Sequence, residues 1–220
     1  MTLEVDNVEL YFKDKCILNG IYLKAETGKV TGVLGSNGSG KSCLLNIIFG
    51  SLQSKYKLIR IDGKPITSAL YKTKLASFLP QFNFTPDRAK LKTVFKLLKI
   101  DWNDFVAEFE SFSSYKDKRF NKLSGGERRV IETYLILKGK NKIALLDEPF
   151  SHLSPLHIQK IIGLISEEKH EKIIIITDHM HKNVINTSDN LYLIKNGCSK
   201  PINDLKELET YNYVSTGSLD

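Results

Sequence analysis

"VTGVLGSNGSGKSCLLNIIFG", Val30 to Gly50, fixes the kind of fold. Val30–Leu34 is a short apolar run, too short for a free helix and aliphatic enough to be a strand covered on both faces. Ser42–Phe49 carries helical periodicity. Between them Gly35, Ser36, Asn37, Gly38, Ser39, Gly40, Lys41 and Ser42 match G-x-x-x-x-G-K-[ST]. Glycines let a backbone wrap closely enough for its N–H groups to meet phosphate oxygens. The helix that follows adds the positive end of its dipole. Lys41 is expected at the β- and γ-phosphates and Ser42 on Mg²⁺. A strand, a phosphate loop and a helix in this order specify nucleotide binding on an α/β sheet.

Three more apolar runs read the same way: Ala76–Leu79, Ile143–Leu146 and Ile173–Ile176. Each ends in polar residues: Pro80-Gln81, Asp147-Glu148, and Thr177-Asp178-His179. Ligands of open α/β sheets bind at the carboxyl ends of strands, so one site is expected to collect all four loops. Successive strand side chains face opposite ways, which gives Asp147 and Glu148 different tasks. Asp147 suits the Mg²⁺ shell, directly or through water, and Glu148 is free to deprotonate an attacking water. A neutral His179 is placed to donate to a γ-phosphate oxygen. Gln81 is placed to touch Mg²⁺ or the water.

Outside this set, Thr2–Leu10, Ile17–Lys24 and Leu58–Asp62 alternate as strands, and Glu127–Lys138 and Pro155–Lys169 have helical periodicity. Thr93–Lys122 is irregularly helical and reads as an inserted lobe. In LSGGERR, Leu123 to Arg129, Ser124 and Glu127 form the S-x-x-E capping box of a helix that would bury Val130, Ile131, Tyr134, Leu135 and Leu137. That leaves Gly125 and Gly126 unexplained, except as bare amides at a helix N-terminus, an anion site. The chain's own phosphates already have a cradle, so this second site is expected to meet another molecule's γ-phosphate.

Composition sets the bounds. The chain has 220 residues, most simply one domain, with three scattered cysteines and a net charge of +7. The cysteines fit a reducing compartment and offer no metal-ligand spacing. The basic surface comes without a nucleic-acid motif, and nucleic acid is not expected as a partner. No apolar run approaches bilayer length, and MTLEVDNVEL lacks the basic flank of a secretory signal, so the chain is expected in the cytoplasm. Only a short polar segment follows Cys198, and no extra regulatory domain is expected there.

In order along the chain, these motifs resemble those of the ATP-binding cassette (ABC) ATPases. GSNGSGKS resembles the Walker A loop, Gln81 the Q-loop glutamine, and LSGGE the family signature, with Glu127 where glutamine is commoner. IALLDEP resembles Walker B with its catalytic glutamate, and His179 the switch histidine. Phe12 falls where an aromatic stacks on adenine, with Tyr11 adjacent to it. The resemblance implies a P-loop fold of ABC type: a mostly parallel core sheet flanked by helices, an N-terminal antiparallel β subdomain, and an inserted helical subdomain near 82–122. It also implies a head-to-tail dimer, most simply a homodimer, in which each ATP touches Lys41 of one copy and Ser124, Gly125 and Gly126 of the other.

The implied activity is ATP hydrolysis powering a separate membrane permease from the cytoplasmic face of the inner or plasma membrane. FNFTP, Phe82 to Pro86, and the residues up to Val94 are the docking candidate, with core packing of Phe82 and Phe84 as the alternative. The other functional reading is a soluble cassette acting on a scaffold, as in iron–sulfur cluster assembly. One departure stands out. The family's usual SALD after Walker B is SHLS here, so Ser154 replaces the aspartate that links the two sites. Cys43 is either a small packing residue or a thiol that sensitises the site to alkylation.

Overall fold

The computed structural model describes residues 1–215 and Gly217. The chain opens with two long antiparallel strands, β1 (Thr2–Phe12) and β2 (Lys15–Glu26), and then enters the core as β3 (Val30–Leu34). After the phosphate loop come α1 (Lys41–Phe49), β4 (Tyr56–Ile61), β5 (Lys64–Pro65), α2 (Leu70–Thr73) and β6 (Ala76–Leu79). The next stretch holds α3 (Leu91–Leu98), α4 (Trp102–Glu108) and two 3-10 turns, and leads into α5 (Gly125–Lys138). The chain continues through β7 (Ile143–Asp147), α6 (Pro155–Glu168), β8 (Ile173–Thr177), α7 (His181–Thr187), β9 (Asn190–Lys195), β10 (Cys198–Ile202) and α8 (Lys206–Thr210).

Two sheets result. The first has four strands in the order β2-β1-β4-β5 and is antiparallel throughout. The second has six, in the order β10-β9-β3-β8-β7-β6. All its pairs are parallel except the β9–β10 edge. In this order β3, β8, β7 and β6 are consecutive neighbours, so their carboxyl ends lie side by side. That adjacency brings four loops, distant in sequence, to one rim.

Period-two alternation divides the core between the faces of this sheet. Ile143, Leu145, Ile173 and Ile175 face a cluster with Leu44, Leu45, Ile47 and Ile48 of α1 and the inner side of the antiparallel sheet. Ala144, Leu146, Ile174 and Ile176 face α5, α6 and an aromatic group. Full burial of each large aliphatic side chain contributes about 1.5–3 kcal/mol.

The irregular stretch before α5 is organised by aromatic packing. Phe105 lies within 4.9–5.4 Å, ring centre to ring centre, of Phe95, Trp102, Phe109, Phe112 and Tyr134. Lys99 adopts φ +57 and stops α3, and the Asp101 side chain caps α4 by accepting from the Asn103 N–H at 2.7 Å. Short helices set at angles wrap these rings, where one regular helix would not.

Two expectations need correction. The stretch after Cys198 is not merely polar: β10 completes the sheet, and Ile202 and Leu208 are buried. Helix α5 has no single buried stripe, because every residue from Arg128 to Leu137 is buried, including Arg128, Arg129 and Glu132.

Candidate functional site

Gly40 closes the phosphate loop at φ +98, and a β-carbon there would stand 2.7 Å from the Leu18 Cδ2 atom. Both the turn and the neighbouring strand demand glycine. Lys41 opens α1 and is almost wholly buried, with its Nζ donating to the carbonyls of Gly35 (2.6 Å) and Ser36 (3.2 Å). Burial holds its ammonium below the usual lysine range, against the pull of Asp147, Glu148 and Asp178.

The loop faces a cavity of about 520 Å³ lined by residues 37–42, Phe12, Ile17, Cys43, Gln81, Glu148 and His179. That volume suits one small-molecule ligand. Phe12 is on its wall and half exposed, whereas the Tyr11 ring is covered by the Lys55 ammonium at 5.0 Å. Cys43 is half-buried at the cavity, and burial pushes its thiol up, which suits packing better than reactivity.

Asp147 ends β7 with 2% of its surface exposed, and its Oδ1 atom has no hydrogen-bond partner among the described residues. Burial pushes its carboxyl up to about 6, with the Ser42 side chain pulling the other way. A buried, unpaired carboxylate oxygen next to a hydroxyl is a donor set suited to a hard cation.

Glu148 departs from the expected geometry. The strand has already ended, and Glu148 takes φ +58 while its N–H donates to the Thr177 carbonyl at 2.6 Å. Left-handed backbone, not strand alternation, therefore separates it from Asp147. Its Oε1 accepts from Gln81 Nε2 at 3.0 Å and its Oε2 from the Ser151 hydroxyl at 3.1 Å. The Nδ1 atom of His179 lies 3.7 Å from that same Oε2.

The capping box forms. Ser124 Oγ accepts from the Glu127 N–H at 3.2 Å, and Glu127 Oε2 accepts from the Ser124 N–H at 2.7 Å. Glu127 Oε1 also accepts from the Tyr115 hydroxyl at 2.7 Å. Helix α5 starts two residues earlier than its apolar pattern, so Gly125 and Gly126 are its first helical residues. Ser124, Gly125, Gly126 and Glu127 do not line the cavity with Lys41. The two glycines also differ. A β-carbon at Gly125 would meet nothing within 4 Å, but one at Gly126 would stand 2.5 Å from the His152 carbonyl oxygen. Packing inside the chain explains the second glycine.

Arg129 has no place in the motif reading, yet it braces the site. Its guanidinium is buried and donates to the carbonyls of Pro80 (2.6 Å), Glu148 (3.1 Å from Nε) and Asp147. It thus joins the ends of β6 and β7 to the helix that begins at the signature. Beside it, Glu132 is wholly buried and accepts from the Thr85 N–H (3.1 Å) and Arg128 Nε (3.0 Å). Two arginines next to a glutamate-bearing capping box look like surface charge in a sequence, and only buried carbonyls reveal their use.

Known proteins resemble this chain in sequence and in fold. A family model described as "ABC transporter" matches residues 18–151. An uncharacterized ABC transporter ATP-binding protein of Methanocaldococcus jannaschii is 31% identical over 217 residues, covering 90% of this chain and 84% of the relative. The lipopolysaccharide export system ATP-binding protein of Haemophilus influenzae is 25% identical over 220 residues, covering 89% and 87%. A solved structure described as the ATP binding subunit of an ABC transporter superposes with a TM-score of 0.84 at 18% identity, covering 100% of this chain and 97% of that one. Four parallel strand ends share one cavity, and the family match from Leu18 to Ser151, over more than half of the chain, places it in the ABC transporter family as an ATP-binding domain.

Proposed function

We propose that this chain is the ATP-hydrolysing subunit of a membrane transporter, driving a separate integral-membrane permease through head-to-tail dimerisation. One observation carries the enzymatic part: Lys41, Ser42, Gln81, Glu148 and His179 line a single cavity. Lys41 and the N–H groups of residues 35–42 hold the phosphates, and Phe12 stacks on the base. Ser42, Gln81 and Asp147 hold Mg²⁺, which when bound neutralises charge on the phosphate oxygens. Glu148, steadied by Gln81 and Ser151, takes a proton from the attacking water. His179 meets the terminal phosphate.

The signature residues lie outside the cavity of their own chain, which favours action on a second copy's nucleotide. Two such copies would make two equal sites.

Phe82 and Phe84 are not core: they are 74% and 39% exposed. Phe84 shares an apolar surface beyond the Gln81 loop with Leu97 and Leu98, which are also exposed. An exposed apolar patch of this kind marks a protein contact, here the permease. Among the described residues no helix is long and apolar enough to cross a membrane. As the partner of a permease, the chain would sit on the cytoplasmic face. The relatives named above are transporter proteins, which favours this over work on a soluble scaffold. Affinity isolation of the native chain from detergent-solubilised membranes tests it. A stoichiometric membrane-spanning subunit is expected, and recovery solely in a soluble complex refutes permease coupling.

A further inference from the structure

Asp178 is wholly buried and plays no part in the reaction outlined above. Its Oδ2 accepts from the Phe150 N–H at 2.9 Å and its Oδ1 from the Met180 N–H at 2.9 Å. Phe150 stands two residues after Glu148, and Met180 directly follows His179. One carboxylate therefore ties together the two loops that carry the proposed base and the proposed switch residue. The Nδ1 atom of His179 lies 3.3 Å from Asp178 Oδ1 and 3.7 Å from Glu148 Oε2. Both neighbours are acceptors. A bare lone pair on Nδ1 would face oxygen lone pairs, so the proton belongs on Nδ1.

We infer that Asp178 is a positioning residue that fixes His179 with its proton on Nδ1 and its Nε2 turned away from the two carboxylates. A neutral ring held this way offers Nε2 as an acceptor. Nε2 donates to a phosphate oxygen only when the ring carries both protons. This refines the expectation that a neutral His179 donates directly. The consequence for turnover rests on the proposed meeting of His179 with the terminal phosphate, but the tautomer does not.

The test is nitrogen NMR on the full chain with labelled histidine, using His179→Gln to assign the ring among the five histidines. The proton is expected on Nδ1 of the neutral ring. In Asp178→Asn the carboxamide cannot accept on both sides. The Nε2–H form is expected to gain population, and kcat for ATP to fall about tenfold or more, as for a histidine that loses its orienting carboxylate. KM should stay within about twofold, because the phosphate loop is untouched. An Nε2–H ring in the unaltered protein overturns the assignment, even if the variant fails to fold. In a folded Asp178→Asn, a ring that stays wholly Nδ1–H overturns the positioning role of Asp178, and so does unchanged kcat where His179→Ala lowers turnover. Parental turnover by His179→Ala overturns the wider role of His179 and not its tautomer.

Discussion

The carbonyl oxygen of His152 approaches the Cα of Gly126 so closely that a β-carbon there would stand 2.5 Å from it. His152 itself takes φ +63, so neither backbone has an easy way to yield. Gly126→Ala should therefore cost about 1–3 kcal/mol, as overpacking does, and lower the melting temperature with no nucleotide present. An unchanged melting curve would mean that the loop after Glu148 moves freely.

Gly125 is the contrasting case, with open space around the missing β-carbon. Gly125→Ala should fold at least as stably as the parent, because alanine favours the helical position by about 0.5–1 kcal/mol. It should bind ATP as a monomer and lose ATP-driven dimerisation and turnover. Ser124→Arg should do the same with a larger obstruction. Light scattering with ATP checks both, and weakened ATP binding in the dilute monomer would argue against action across an interface.

Glu148 is held by Gln81 and Ser151 at hydrogen-bond distance. Glu148→Gln keeps the shape but removes the proton acceptor, so turnover should fall by about 100-fold or more while ATP binding persists. The bound dimer should accumulate on gel filtration. Parental turnover in this variant would assign the base elsewhere.

Burial pushes the Asp147 carboxyl up to about 6 from an unfolded value of 3.8. Between those limits the folded chain holds a proton that the unfolded chain has lost, so stability falls as pH rises. The fall is complete above the folded value and amounts to about 3 kcal/mol for a shift of this size. Asp147→Asn removes this dependence. It should melt higher than the parent at pH 7 in chelator, and no higher near pH 4, while losing Mg²⁺-dependent turnover. Equal melting at both pH values would show that the buried carboxylate is compensated.

The strands and their polar ends were legible because each signal is local. Val30–Leu34 and Ile143–Asp147 are entirely buried, as continuous aliphatic runs require. Gln81, Glu148 and His179 could be placed together because parallel strands put their carboxyl ends on one rim, whereas Phe12, at the end of an antiparallel strand, came from the family resemblance alone. Three features escaped. The turn at Glu148 depends on a left-handed backbone that its side chain does not announce. The second signature glycine answers to a carbonyl of residue 152, a contact between loops. Arg129 was invisible because its partners are main-chain oxygens, which leave no trace in residue identity.

Arg129 allows a direct test of that last point. Its fork satisfies the carbonyls of Pro80, Asp147 and Glu148 inside the protein. Arg129→Ala takes the donor from the buried carbonyls of Pro80 and Asp147, at about 1–3 kcal/mol for each, while the Glu148 carbonyl still accepts from the Ser151 N–H at 3.3 Å. Arg129→Lys keeps the charge and loses the planar fork, so it should recover only part of the melting temperature. Full recovery by lysine would mean that charge alone matters.

Ser154 isolates the link between the two proposed sites. In the chain it caps α6, its Oγ accepting from the His157 N–H at 3.3 Å. Aspartate caps a helix equally well and gains about 0.3–1 kcal/mol from the helix dipole, so Ser154→Asp should not destabilise the fold. Any change in activity then reflects the carboxylate acting on the proposed second copy and not local structure. ATP turnover by the parent should follow a hyperbola in ATP concentration, the two sites acting independently. The variant, with the family's usual aspartate restored, should turn sigmoidal at an unchanged melting temperature. A hyperbola in both would move the link to another residue of the loop, and a sigmoidal parent would show that a serine hydroxyl suffices.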